Sequence, residues 1–126
     1  MIEGMTMAKW KRAPEEVKEI LATAVSKIEC TRKIMFGYPA YFINNNMFTG
    51  VYQDSIIIRL DAASQERLLS SYQKIKRFEP MKGRIMKEYL ELPKSVYSDK
   101  TILKKLVTAS YEYASSLPAK SIKKQK

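Results

Sequence analysis

The sequence predicts an α+β fold: a two-layer sandwich with helices on one face of an antiparallel sheet of about five strands, in the order α-β-β-β-β-α-β-α. Three observations predict it. Apolar residues recur at helical spacing near both ends and in the middle of the chain. Four extended segments follow one another between residues 31 and 60, with links too short for crossover helices, so they form an antiparallel meander. The chain has 126 residues, 45% hydrophobic and 29% charged, which suits one domain with one core.

The elements follow in order. Pro14, Glu15 and Glu16 open a helix: proline at the first helical position gives up no needed hydrogen bond, and two acids suit the positive end of the helix dipole. Val17, Ile20, Leu21, Ala24, Val25 and Ile28 make its apolar stripe. Residues 31–36 read as a first strand, stopped by Gly37 and Pro39, and 40–43 as a second. Asn44, Asn45 and Asn46 are a turn, because asparagine tolerates positive φ. Residues 47–52 form a third strand, Gln53 and Asp54 a reversal, and 55–60 a fourth, whose Ile56, Ile57 and Ile58 suit the middle of a sheet.

Asp61 is the N-cap of a second helix with Leu68, Leu69 and Tyr72 on its apolar side. An irregular segment around Pro80 leads to a fifth strand over 84–92, where Met86, Leu90 and Leu92 alternate with Lys87, Tyr89 and Glu91. Ser98 caps a last helix that carries Ile102, Leu103, Leu106, Val107 and Ala114 inward and ends before Pro118. Residues 1–8 read as a flexible extension, 9–118 as the domain and 119–126 as a basic disordered tail. Met1, Met5 and Met7 leave the starting methionine open. The sheet face without helices is left to solvent or to a partner.

Composition narrows the chemistry. The chain has no histidine, which removes Ser-His and Cys-His nucleophile activation and the usual zinc sites. Cys30 is the only cysteine, so no internal disulfide forms; between a helix and a strand it reads as a buried small hydrophobe. Four glycines, none at phosphate-loop spacing, exclude that motif. The acids Glu29, Asp54, Asp61 and Glu66 have no metal-loop spacing. No catalytic, cofactor-binding or metal site is read, no cofactor is implied, and no small-molecule substrate is expected. Without a signal peptide or a membrane-spanning stretch, the expected location is the cytoplasm.

A net charge of +10 favours anionic partners, although lysine-rich surfaces also serve solubility alone. Two clusters join cations to aromatics as nucleic-acid binders do: Trp10 with Lys11 and Arg12, and Lys74, Lys76 and Arg77 beside Tyr72 and Phe78. The plainer reading makes Trp10 an anchor for the N-terminal arm. The other partner class is a protein, a second copy of the chain included, met through the helix-free face or a sheet edge with the help of Tyr41, Tyr52 and Tyr89.

The stretch from Arg32, Lys33, Ile34, Met35, Phe36 and Gly37 to Met47, Phe48, Thr49 and Gly50 resembles the N-terminal domain of the TfoX/Sxy family of competence regulators. Ile56, Ile57, Ile58 and Arg59, then Phe78, Glu79, Pro80 and Met81, then Met86, Lys87, Glu88 and Tyr89 continue the likeness in order, across nearly the whole chain. It is similar to the stand-alone members that have only this domain, without the helical C-terminal domain of the full-length regulators. The resemblance implies the two-layer fold above, of the secretion-chaperone-like kind, and a non-enzymatic regulatory role. It also implies that the shared motif is structural: Met35, Phe36, Met47 and Phe48 as core, Gly37 and Gly50 as backbone requirements. Where the family often has two glycines, this chain has Gly37, Tyr38 and Pro39, so the turn there is its own.

Overall fold

The computed structural model describes residues 14–35 and 37–118. The predicted terminal extensions, and Phe36, lie outside these residues. Pro14 is extended (φ −63°, ψ 147°) and is the N-cap of helix α1 (Glu15–Ala24), which therefore begins one residue later than predicted. The helix stops at Val25, but successive turns carry Val25 and Ile28 on against the core, so the predicted stripe outlasts the helix.

Four strands follow: β1 (Thr31–Met35), β2 (Tyr38–Ile43), β3 (Asn46–Tyr52) and β4 (Ser55–Arg59). Gly37, at φ +87°, turns β1 into β2. Between β2 and β3 only Asn44 and Asn45 form the turn, with φ of 54° and 65°, the double positive φ that suits a two-residue hairpin. Asn46 already belongs to β3; its Nδ2 donates to the Pro118 carbonyl at 3.0 Å and ties the end of the last helix to the sheet. Pro39 lies inside β2, where the sequence predicts a stop. A single missing N–H removes one ladder bond, and the fixed φ of proline remains compatible with extended chain.

Helix α2 (Ala62–Ser71) is capped as predicted: Asp61 Oδ1 accepts from the Ser64 amide. A two-residue strand, β5 (Lys76–Arg77), then precedes β6 (Tyr89–Leu92), a short helix α3 (Lys94–Tyr97) and the long helix α4 (Lys100–Ser116). Asp99, one residue after the predicted Ser98, caps α4; its Oδ1 accepts from the amides of Thr101 and Ile102, both at 3.1 Å. The strands form one antiparallel sheet in the order β1-β2-β3-β4-β6-β5, six where the sequence suggests five. The predicted strand over 84–92 keeps only its last four residues, and Met86, assigned inward by alternation, is 41% exposed.

Register decides the faces. Thr49, Val51, Ile56, Ile58, Leu90 and Leu92 share the face under α1 and α4, and the apolar ones join Val17, Leu21, Leu103 and Val107 in one core. Ala40, Gly50 and Ile57 occupy the middle of the opposite face and are buried as well, Ile57 to 2% exposure. This face is therefore not the open surface the sequence suggests. The chain after β5 folds against its rim: Phe78 meets Tyr52 edge-on at 5.0 Å, and the Tyr52 hydroxyl donates to the Pro80 carbonyl at 3.2 Å. Gly50 is required for a spatial reason, since a Cβ there would stand 3.2 Å from the Pro39 carbonyl oxygen and 3.3 Å from Ala40 Cα.

Polar side chains fasten the sheet to the helix layer. Arg59 Nε donates to Glu88 at 2.7 Å, the Tyr113 hydroxyl donates to the same carboxylate at 2.9 Å, and the Tyr89 hydroxyl donates to the Met47 carbonyl. The Tyr97 hydroxyl donates to the Asp54 carbonyl and holds the β3–β4 turn. Burial pushes Tyr38, Tyr89, Tyr97 and Tyr113 above the usual phenol range, with the Glu88 hydrogen bond adding to the effect at Tyr113. A phenol that keeps its proton longer in the folded chain contributes stability that is complete below the unfolded pKa of about 10 and lost as pH rises toward the folded value. The urea midpoint should therefore fall as pH goes from about 9 to about 11, in step with tyrosinate absorbance. Ionisation with an unmoved midpoint would contradict the burial of these hydroxyls.

Candidate functional site

The surface that stands out is built on β1 and on the segment between β5 and β6. Every residue of β1 is exposed, because it is the terminal strand of the sheet and has β2 on one side only. Ile34 and Met35 stay out of the core for this reason, and Met35, expected inside, is 40% exposed. The segment between β5 and β6 contributes Met81, Ile85 and Met86, so that among the described residues the large exposed apolar ones, between 40% and 63% accessible, all lie in these two places. One isolated bridge, Met81 with Arg84, holds the tip of this segment; the amide of Gly83 donates to Glu79, and the amide of Met86 to the Phe78 carbonyl.

The two places are linked through packed rings. Met35 pairs with Tyr38, Tyr38 meets Tyr52 edge-on at 5.6 Å, and Tyr52 meets Phe78. Cations border both: Arg32 and Lys33 on β1, and Lys82, Arg84 and Lys87 on the later segment, all exposed. Among the described residues the ion pairs are those of Lys18, Arg59, Arg77 and Lys94, so none of these five cations has an acidic partner. Lys33 lies over the Phe42 ring at 4.8 Å. Charge without counter-charge beside accessible methionine is the chemistry of a docking surface for something acidic and partly apolar.

The residues singled out in the sequence fall as follows. Phe48 is fully buried, Met47 is half-buried, and Gly37 and Gly50 have the backbone roles given above. Trp10, Lys11 and Arg12 lie outside the described residues. Lys74 and Lys76 are exposed; Lys76 stands opposite Glu91 in the β5–β6 ladder. Arg77 is engaged within the fold, pairing with Glu66 at 2.9 Å and donating to Gln65 Oε1 at 3.0 Å, so these three do not make a free basic strip. Ile34, Met81 and Ile85 escape the sequence reading. The signal for the later segment is the break in alternation at Lys82, Gly83 and Arg84, which places polar and flexible residues where a strand would need inward ones.

Two hollows lie on the helix layer. One, of about 660 Å³, runs between α1 and α4 past Ile20, Thr23, Ala24 and Leu103; the other follows α4 beside Lys100, Lys104 and Lys105. Cys30 is half-buried, and burial pushes its thiol up, which reduces the reactive thiolate. Among the described residues, no group of three acids or cysteines is placed to hold a metal, and no helix is long and apolar enough to cross a membrane.

A family model described as the TfoX N-terminal domain matches residues 19–114, from the middle of α1 to near the end of α4. Comparison with curated proteins and with solved structures found no match.

Proposed function

The chain belongs to the TfoX N-terminal domain family, and from that premise we propose that it acts without catalysis, as a regulatory or adaptor domain that binds another protein. The observation that carries this reading is the exposure of Ile34 and Met35 on the edge strand and of Met81, Ile85 and Met86 between β5 and β6, two stretches joined through the packed rings of Tyr38, Tyr52 and Phe78. Exposed apolar residues scattered singly are ordinary, whereas a bordered group of them marks a contact surface. The alternative, a basic module for nucleic acid, has less support: Arg77 is spent on Glu66 and Gln65.

The test is capture from the protein's own cell extract, with the wild-type chain compared with Ile34→Glu and Ile85→Glu. Both sites are exposed, so both variants should keep the wild-type circular dichroism spectrum. The expected result is a captured protein that is lost with either variant and kept with Lys105→Glu, a change at an exposed position of α4. Capture indifferent to all three changes would remove the two stretches as the contact surface, and no capture at all would remove the reading.

A further inference from the structure

We propose that β1 takes up an extended, acidic segment of a partner protein as a seventh strand of the sheet; this rests on the protein-binding reading above and specifies its geometry. β1 ends the sheet, so among the described residues one row of its backbone N–H and C=O groups has no strand beside it. Its register against β2 runs unbroken from Thr31↔Phe42 to Met35↔Tyr38, without a bulge to twist the edge away. The opposite edge, β5, has two residues and offers too little ladder. Proteins blunt exposed edges by shortening, bulging, covering or charging them, and among the described residues charge, in Arg32 and Lys33, is the device at this edge.

The charge also selects the occupant. Arg32 and Lys33 are exposed, and no acid among the described residues pairs with either. A second copy of β1 fits badly. Antiparallel self-pairing over all five residues sets Thr31 against Met35 and therefore Lys33 directly against Lys33, which destabilises the ladder. Two chains that each carry +10 repel further. A strand with two adjacent acids and two adjacent apolar residues fits: the acids stand opposite Arg32 and Lys33, the apolar pair opposite Ile34 and Met35. Alternation puts one member of each pair on either face of the sheet, so the match needs no distortion.

The experiment is a selection of random peptides displayed on phage against the immobilised full chain, followed by anisotropy titration of one selected peptide made with a fluorescent label. The selected sequences should place adjacent acids next to adjacent apolar residues. N-methylation of the peptide on one set of alternate amides, the set facing β1, should abolish binding, and the other set should be tolerated. Lys33→Glu, a change at an exposed charged site, should weaken binding by about tenfold or more. Amides of β1 should become protected from hydrogen exchange when the peptide is bound. Selection of basic or purely apolar peptides, indifference to both methylation patterns, or full binding by Lys33→Glu would each overturn the proposal. So would displacement of the peptide by duplex oligonucleotide, or a dimer of the free chain that Lys33→Glu abolishes. If the preceding capture, repeated with Lys33→Glu, depends on Ile85 but not on Lys33, the protein-binding reading stands and the strand addition fails.

Discussion

Phe48→Ala is expected to cost about 3–5 kcal/mol, the range for removal of a large aromatic ring from a packed core. Phe48 is wholly inaccessible, and its position is irregular. Tyr41 pairs with Thr49 while Phe42 pairs with Met47, so Phe48 is an extra residue on β3, opposed by no residue of β2. The ring lies edge-on to Tyr111 of α4 at 5.4 Å and joins the strand to the helix that covers it. Removing it forfeits the ring's burial and opens a cavity that neither a strand nor a long helix can collapse into. Urea unfolding should show a lowered midpoint with little change in slope. Phe48→Leu, which refills most of the volume, should lose clearly less. A loss under about 1 kcal/mol for the alanine variant would contradict the packing of this bulge.

Ile57→Ala is expected to be nearly as damaging as Ile58→Ala, each costing about 2–4 kcal/mol. The two residues are neighbours in β4 and point to opposite faces. Under a sheet with one bare face, only Ile58 would matter, because truncating an exposed side chain changes stability by about 0.5 kcal/mol or less. Ile57 is 2% exposed, beside Gly50 in the ladder, so its truncation leaves a hole as well. Measuring both variants side by side gives a ratio that is insensitive to the unfolded state they share. A tolerated Ile57→Ala beside a damaging Ile58→Ala would restore the picture of an open face.

These cases show where sequence reasoning succeeds and where it stops. Asp61 as a cap, Asn44 and Asn45 as the hairpin turn, and the meander from 31 to 60 are legible because each depends on chemistry within a few residues: a side-chain acceptor near free amides, a residue that tolerates positive φ, an alternation of period two. The candidate site is less legible. Met86 satisfies the alternation of a strand, yet no neighbouring strand pairs with residues 84–88, and without a ladder the alternation carries no inside or outside. Met35 is expected in the core from the family resemblance, and only its place at the end of the sheet exposes it.

By itself, the sequence determined that this protein is an α+β domain with helices against an antiparallel sheet, where most of its turns and caps lie, and which family it belongs to. The tertiary structure alone decided the strand order β4-β6-β5, the burial of Ile57, and the exposure of basic, methionine-bearing stretches on the terminal strand β1 and between β5 and β6. The physical reason is the range of the forces involved. Caps, turns and periodicity are settled by neighbours along the chain, whereas burial is settled by whichever distant segment comes to lie alongside, and an edge exists only where none does.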